Sequence, residues 1–526
     1  MRWSLYRPQA RRSGGEAACL GSPLAKGDCL AVSVRLALGF CLAVLGPALW
    51  PTPSLARATA APSAPPATAS VTGETALRAE LELLLQEPVL RGARFGVSVS
   101  DVETGAPLLQ FRADEPFHPA SNTKLLTTAA ALVHLGPTYT FQTDLVTSRL
   151  DASGGADDLV LLGRGDPSLM VSNLYQLVDE ARLNGLRSVR GDVIIDESYL
   201  SGAGEPPGFA EQATDEAFRA PTGAASLNYN TVLVYVSAGS EAGTPVHVAL
   251  TPDVGYVRVD NRGRTRARGR ATLEVTAKPE GIGIVVSVKG RLPTGHEGIW
   301  IRKRVWHPAQ FTGAALNTLL KQAGIPVSGS VRIGQAPAVT RRLSSTQSRS
   351  VATLCADVNK FSNNFMAEQL LLALGVQKLG RGDFEAGREV VQAFARDEVG
   401  LGPLEYANGS GLFGRTQLSP AQIVKLLVYM QVRRPALPEF AASLAIGGLD
   451  GTMARRSGGA IPLSVRAKTG TLDGVVALSG YTTDAGGRTL AFSFLANDVP
   501  GGAWRVWKLH DRLLAVLAQH SAPKAP

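Results

Sequence analysis

The chain has 526 residues, 45% of them hydrophobic and 18% charged, which is enough apolar material for a large buried core and too much for a disordered polymer. No apolar stretch reaches the roughly 18–20 residues of a membrane-crossing helix. The 56 glycines and 32 prolines follow no repeat, so polytopic, collagen-like and solenoid architectures are excluded. The formal charge of +9 is unevenly placed, with +5 in residues 1–58 and only +4 in the rest, which argues against a nucleic-acid partner.

Leu36 to Trp50 is uncharged and apolar, preceded by Arg35 and followed by Pro51, Pro53 and Ala56-Arg57-Ala58. A basic flank, a short apolar run and an A-x-A site read as a signal peptide over residues 1–58, cut after Ala58. The expected location is therefore the periplasm, with at most peripheral membrane association. Cys19, Cys29 and Cys41 precede the cut, so the exported chain keeps Cys355 alone, without an internal disulfide. Its apolar neighbours make it a small buried hydrophobe.

Residues 59–73 are Ala/Pro/Thr-rich and read as a tether. A helical stripe (Leu77, Leu81, Leu84, Leu85) follows over Thr75 to Gln86. Phe95 to Val102 alternates with period two, turns at Glu103-Thr104-Gly105-Ala106 and returns through Leu108 to Phe111 as a hairpin. After Pro119 the pattern is helical, with Leu125, Ala129, Leu132 and Val133 on one face. From about 145 to 340 the texture is one of short strands, such as Asp157–Leu162, Gly191–Asp196, Thr231–Ser237, Thr272–Thr276 and Gly283–Lys289. The basic run Arg262–Arg270 in this region reads as a solvated hairpin. Helical periodicity resumes near Thr346 and runs to about Gln431. Strands Val475–Thr482 and Arg488–Asn497 and a helix Trp504–Gln519 complete the chain. The parsing is an α+β domain built from residues 74–148 and 344–520, interrupted by a mostly β insertion of one or two domains over 149–343, with a tail at 521–526.

Three motifs occur in order: Ser121-Asn122-Thr123-Lys124, Ser362-Asn363-Asn364 and Lys468-Thr469-Gly470-Thr471. Ser and Lys three apart share a helix face, and a helix start directs N–H groups at whatever binds there. A serine so placed is nucleophilic when the lysine is neutral, a state favoured by burial and by a second cation, here Lys468. Ser362 offers a hydroxyl that relays a proton, and Asn364 a carboxamide that holds both a peptide and Lys124. Lys468 at an edge strand, with the Thr469 and Thr471 hydroxyls, attracts a terminal carboxylate. S-x-x-K recurs at Ser521–Lys524 and S-x-N at Ser226–Asn228, but neither copy has the required helical setting.

The triple is a variant of the S-x-x-K, S-D-N and K-T-G set of β-lactamases and penicillin-binding proteins. The longer stretches HPASNTKLLTTAAALVHLG (118–136), GRGDPSL (163–169), SLNYN (226–230), NGSGL (408–412), GGLDGTM (447–453) and AKTGTLDGVVALSGY (467–481) resemble the D-alanyl-D-alanine carboxypeptidase/endopeptidase family. These are the class C low-molecular-mass penicillin-binding proteins, peptidase family S13, and the likeness runs from about residue 75 to 520. The spacing of 241 positions from Ser121 to Ser362 leaves room for the inserted domains of that family, unlike a class A β-lactamase. The resemblance implies a penicillin-binding-protein/β-lactamase-like domain, an antiparallel sheet covered by helices with a helical subdomain. It implies peptidoglycan stem peptides ending in D-Ala-D-Ala as substrate and β-lactams as acylating inhibitors. Ser121 is then the nucleophile, Lys124 the base, Ser362 the proton shuttle, Asn364, Lys468, Thr469 and Thr471 the substrate-binding residues, and the N–H groups of Ser121 and Thr471 the oxyanion hole. Two departures stand out. Asn408 replaces the family's usual Asp, and Asp215 with Phe218 are only loose matches to the residues that recognise the substrate side chain.

No cofactor or metal is expected. The G-x-G-x-x-G at 409–414 follows no strand, the seven histidines show no ligand spacing, and His118, three residues before Ser121, is redundant beside Lys124. A β-lactamase or esterase on the same scaffold, or a catalytically silent wall-binding protein, remain the alternatives.

Overall fold

The computed structural model describes residues 69–432, 437–454, 456 and 461–520. The expected signal peptide with its three cysteines, most of the expected tether and the 521–526 tail with its Ser521–Lys524 copy lie outside these residues. A six-stranded antiparallel sheet runs in the order Ala445–Ile446, Arg466–Leu472, Val475–Thr483, Thr489–Asn497, Arg94–Asp101, Pro107–Phe111. Its strands come from both ends of the chain.

Alternation along Thr489–Asn497 shows how the sheet is covered. Leu490, Phe492, Phe494 and Ala496 join one apolar cluster, and Ala491 and Leu495 join another. Behind the first face lie helices α1 (Ala69–Leu85) and α10 (Trp504–Gln519), through Leu81, Leu84, Val506, Leu509, Leu513 and Leu517. The helix α1 begins at Ala69, inside the expected tether. On the second face sits the helical subdomain: α2 (Thr123–His134), α5 (Val351–Phe361), α6 (Asn364–Leu379), α7 (Phe384–Ala393), α8 (Pro420–Val432) and α9 (Glu439–Ala442). With both faces buried, the inner strands read as nearly unbroken apolar runs.

Between these parts, a five-stranded mixed sheet is ordered Val331–Ile333, Val193–Asp196, Leu159–Leu162, Gln142–Thr147, Arg341–Gln347. The expected limits of 149 and 343 fall at two neighbouring strands of this sheet: Gln142–Thr147 ends just before the first limit, and Arg341–Gln347 runs across the second. Two helices pack on it, α3 (Val171–Leu183) and α4 (Pro308–Gln322), neither of which the reading by strands includes. Their signal is present in the sequence, since Leu174, Leu177, Val178 and Ala181 recur at helical spacing and are buried. Further small sheets, among them the three-stranded one of Ile299–Arg304, Thr231–Ser237 and His247–Thr251, complete the region. The basic run is solvated but is not a hairpin, because Arg264–Arg266 pairs in parallel with Arg291–Pro293.

Candidate active site

Ser121 lies in the turn Ala120–Asn122 that enters α2. The turn is tied down from several sides. The Asn497 carboxamide accepts the His118 N–H (2.8 Å) and donates to the His118 carbonyl (3.0 Å), and the His118 ring accepts the Ala120 N–H at Nδ1 (3.1 Å). This contact gives His118 a structural task. Asn122 reaches across to Ser479 (2.7 Å), fixing the helix start to the sheet.

One turn on, Lys124 is fully buried. Its Nζ lies 2.9 Å from Ser121 Oγ and donates to Asn364 Oδ1 and to the Ser410 carbonyl, both at 2.7 Å. A neutral amine has two hydrogens and one lone pair. Two carbonyl-type acceptors take the hydrogens, so the lone pair is left facing the serine hydroxyl. Burial lowers the Lys124 pKa to about 7, although the Glu368 carboxylate pulls the other way.

The second motif is held at a helix junction. Ser362 ends α5 in a left-handed conformation (φ 57°), and Asn363 caps α6 by accepting the Met366 N–H (3.1 Å). That chain reversal turns the Ser362 hydroxyl to Lys468 Nζ (2.9 Å) and Asn364 to Lys124. Lys468 Nζ also donates to the Thr469 carbonyl (2.7 Å). Its pKa is pushed well below the ordinary lysine value by burial, and further by the neighbouring Lys124 charge. The strand carrying it is not the last of the sheet, because Ala445–Ile446 lies outside it. That short strand covers only Arg466 and Ala467, so the edge is open from Lys468 onward. Thr469 donates to Thr452 (2.8 Å), Thr471 is partly exposed, and Gly470 brings the strand against Pro119 and Ser121.

All seven candidate residues therefore converge on one place. Ser226, Asp215 and Cys355 do not join them, whereas Phe218 does so through its backbone. Ser226 is buried between Gly223 and Asn230. Asp215 is committed to Lys303 (2.8 Å) and the Ala277 N–H (2.6 Å), whereas the Phe218 carbonyl accepts Asn364 Nδ2 (3.0 Å). Cys355 is buried and its thiol pKa is raised by burial. Two participants were missed. The Ser410 carbonyl belongs to a backbone, which no residue pattern advertises. Glu368 was visible as a lone acid in the apolar stretch Phe365–Leu374, four residues after Asn364.

A serine and a buried lysine on a sheet-and-helix scaffold, faced by a second serine and a second lysine, define the penicillin-binding class of serine acyl-transfer enzymes. The chain belongs to the D-Ala-D-Ala carboxypeptidase 3 (S13) family, whose model matches residues 77–507. It is 33% identical over 489 residues to a D-alanyl-D-alanine carboxypeptidase of Actinomadura sp. (strain R39), covering 88% of each chain. It is 25% identical over 429 residues to the D-alanyl-D-alanine carboxypeptidase DacB of Haemophilus influenzae, covering 80% of this chain and 88% of the relative. The crystal structure of penicillin binding protein 4 from Haemophilus influenzae superposes with a TM-score of 0.72 at 24% identity, over 84% of this chain and 99% of that one. The expected fold is thereby established.

Proposed function

We propose that this protein is an exported D-Ala-D-Ala carboxypeptidase and DD-endopeptidase that hydrolyses peptidoglycan stem peptides and cross-links through an acyl-enzyme on Ser121. Ser121 Oγ attacks the carbonyl between the two D-alanines, and its proton passes to the Lys124 lone pair. The N–H groups of Ser121 and Thr471 hold the oxyanion. The C–N bond breaks, and the leaving amine takes its proton from Lys124 by way of the Ser362 hydroxyl. Lys468, with Thr469 and Thr471, holds the terminal carboxylate on the open strand edge, and Asn364 holds the acyl side. Water, deprotonated by Lys124, then attacks the ester carbonyl; the acid leaves and Ser121 regains its proton. β-Lactams acylate the same serine. We propose the insertion, over about 149–343, as a separate module whose Phe218 carbonyl steadies Asn364.

The observation that carries this reading is the Lys124 environment, with two acceptors for its hydrogens and Ser121 Oγ at the remaining position. Labelling with a fluorescent penicillin tests it. The wild type is expected to form a covalent adduct and Ser121→Ala none; a label that survives in Ser121→Ala refutes the assignment. Mass spectrometry of muropeptides then separates loss of a terminal alanine from splitting of cross-linked dimers.

A further inference from the structure

Glu368 sits on α6 one turn beyond Asn364 and is fully buried. Its Oε2 accepts the Gly409 N–H (2.9 Å) and its Oε1 the Ser410 N–H (2.8 Å). The next group along that backbone is the Ser410 carbonyl, which accepts Lys124 Nζ (2.7 Å). Helix α6 therefore holds Lys124 twice, directly through Asn364 and indirectly through Glu368 and the 409–410 peptide. Both carboxylate oxygens are occupied by donors, an arrangement that suits the ionised form. The charged and titratable groups facing it are few. Lys124 approaches from α2, with Lys468 behind it. Among the described residues the Tyr406 phenol, hydrogen-bonded to Thr127 (2.7 Å), also faces it, and Arg388 of α7 stands beyond, on the Tyr406 carbonyl (3.1 Å).

We propose that Glu368 is an ionised positioning residue that stabilises the lysinium formed when Lys124 takes the proton of Ser121. A buried site offers no water to solvate a new cation, so an amine alone there is a weak base. A carboxylate within the same hydrogen-bonded unit raises the affinity of Lys124 for the proton without touching substrate. Holding the Ser410 carbonyl in place also keeps the lone pair aimed at the hydroxyl. Burial is the largest influence and raises the Glu368 pKa, while the Ser410 hydroxyl, the two N–H donors and the Lys124 charge oppose it and favour the ionised form. The inference rests on the function proposed above.

The test is the pH dependence of penicillin acylation in wild type, Glu368→Gln and Glu368→Asp. In wild type the rate rises with pH as Lys124 loses its proton, with a midpoint near the value of about 7 set by burial. Removing the negative charge disfavours the lysinium, so Glu368→Gln is expected to move that limb to lower pH by about one unit. Its maximal rate should fall roughly ten-fold or more. Glu368→Asp keeps the charge, so its limb stays in place while the rate falls. A Glu368→Gln limb superimposable on wild type overturns the proposal, whatever the loss of rate, because a purely structural role does not move a titration. If Glu368→Gln does not fold, infrared spectra of wild type carrying 13C-glutamate decide at mildly alkaline pH. A neutral glutamic acid band overturns the proposal, and its absence supports it. Failure of the underlying function would look different, since wild type itself would not acylate.

Discussion

At residue 408 the resemblance leads one to expect Asp, the chain carries Asn, and the contacts favour the carboxamide. Asn408 is fully buried. Its Oδ1 accepts the Gly411 N–H (2.8 Å), as a carboxylate would. Its Nδ2 faces the carbonyls of Pro207 (2.8 Å), Leu412 (3.1 Å) and Phe413 (3.3 Å), where a carboxylate would meet only acceptors. Asn408→Asp is therefore expected to destabilise the protein by about 1–3 kcal/mol at neutral pH. The deficit should shrink on acidification, as the protonated acid regains a donor. Urea unfolding at two pH values checks both statements.

At the scale of elements, the site depends on how closely one strand approaches one helix start. Residues Arg466–Leu472 lie against the Ala120–Asn122 turn, and Gly470 makes that approach possible. A Cβ there would stand 2.9 Å from the Pro119 carbonyl oxygen and 3.1 Å from the Ser121 nitrogen. Backbone atoms cannot swing aside as a flexible side chain would, so the turn or the strand must shift. Gly470→Ala is expected to slow penicillin acylation by roughly ten- to a hundred-fold. Stopped-flow acylation beside a thermal melt checks this, with a small change in unfolding expected because the displaced turn is a small part of the core. The helix junction at Ser362 works in the same way. A left-handed residue between α5 and α6 turns two side chains toward two different lysines.

Across the whole molecule, stability carries a pH signature from a residue far from the chemistry. His510 is fully buried on α10 against Phe95 and Phe494, and neither ring nitrogen has a hydrogen-bond partner. Burial holds its pKa well below 6.5. The folded chain keeps the ring neutral, while the unfolded chain takes up a proton below about 6.5. Stability must then be lost as pH falls through that value, by up to about 1.4 kcal/mol per pH unit. Asp166 runs the opposite way, its pKa raised to about 6 by burial. The comparison should therefore be made between wild type and His510→Phe, where Asp166 cancels. The variant is expected to lose less stability between neutral and acidic pH, as read from melting temperatures. An unchanged difference would mean that the ring already takes up a proton in the fold.

Much of this protein was legible from its residues alone. The hairpin at 94–111, the last two long strands and the final helix were placed close to their observed bounds, the strands as short apolar runs ended by turn residues and the helix by its amphipathic face. The three motifs picked out side chains that the fold brings together, since nucleophile, base and carboxylate binder each demand particular functional groups. What the linear order could not contain was the backbone's part. The Ser410 carbonyl, the two N–H groups on Glu368 and the gap that only Gly470 fits exist once segments hundreds of residues apart are packed together. Asp215 became committed to Lys303 for the same reason: a free charge cannot be left in a closing fold, and only the fold decides which partner it meets.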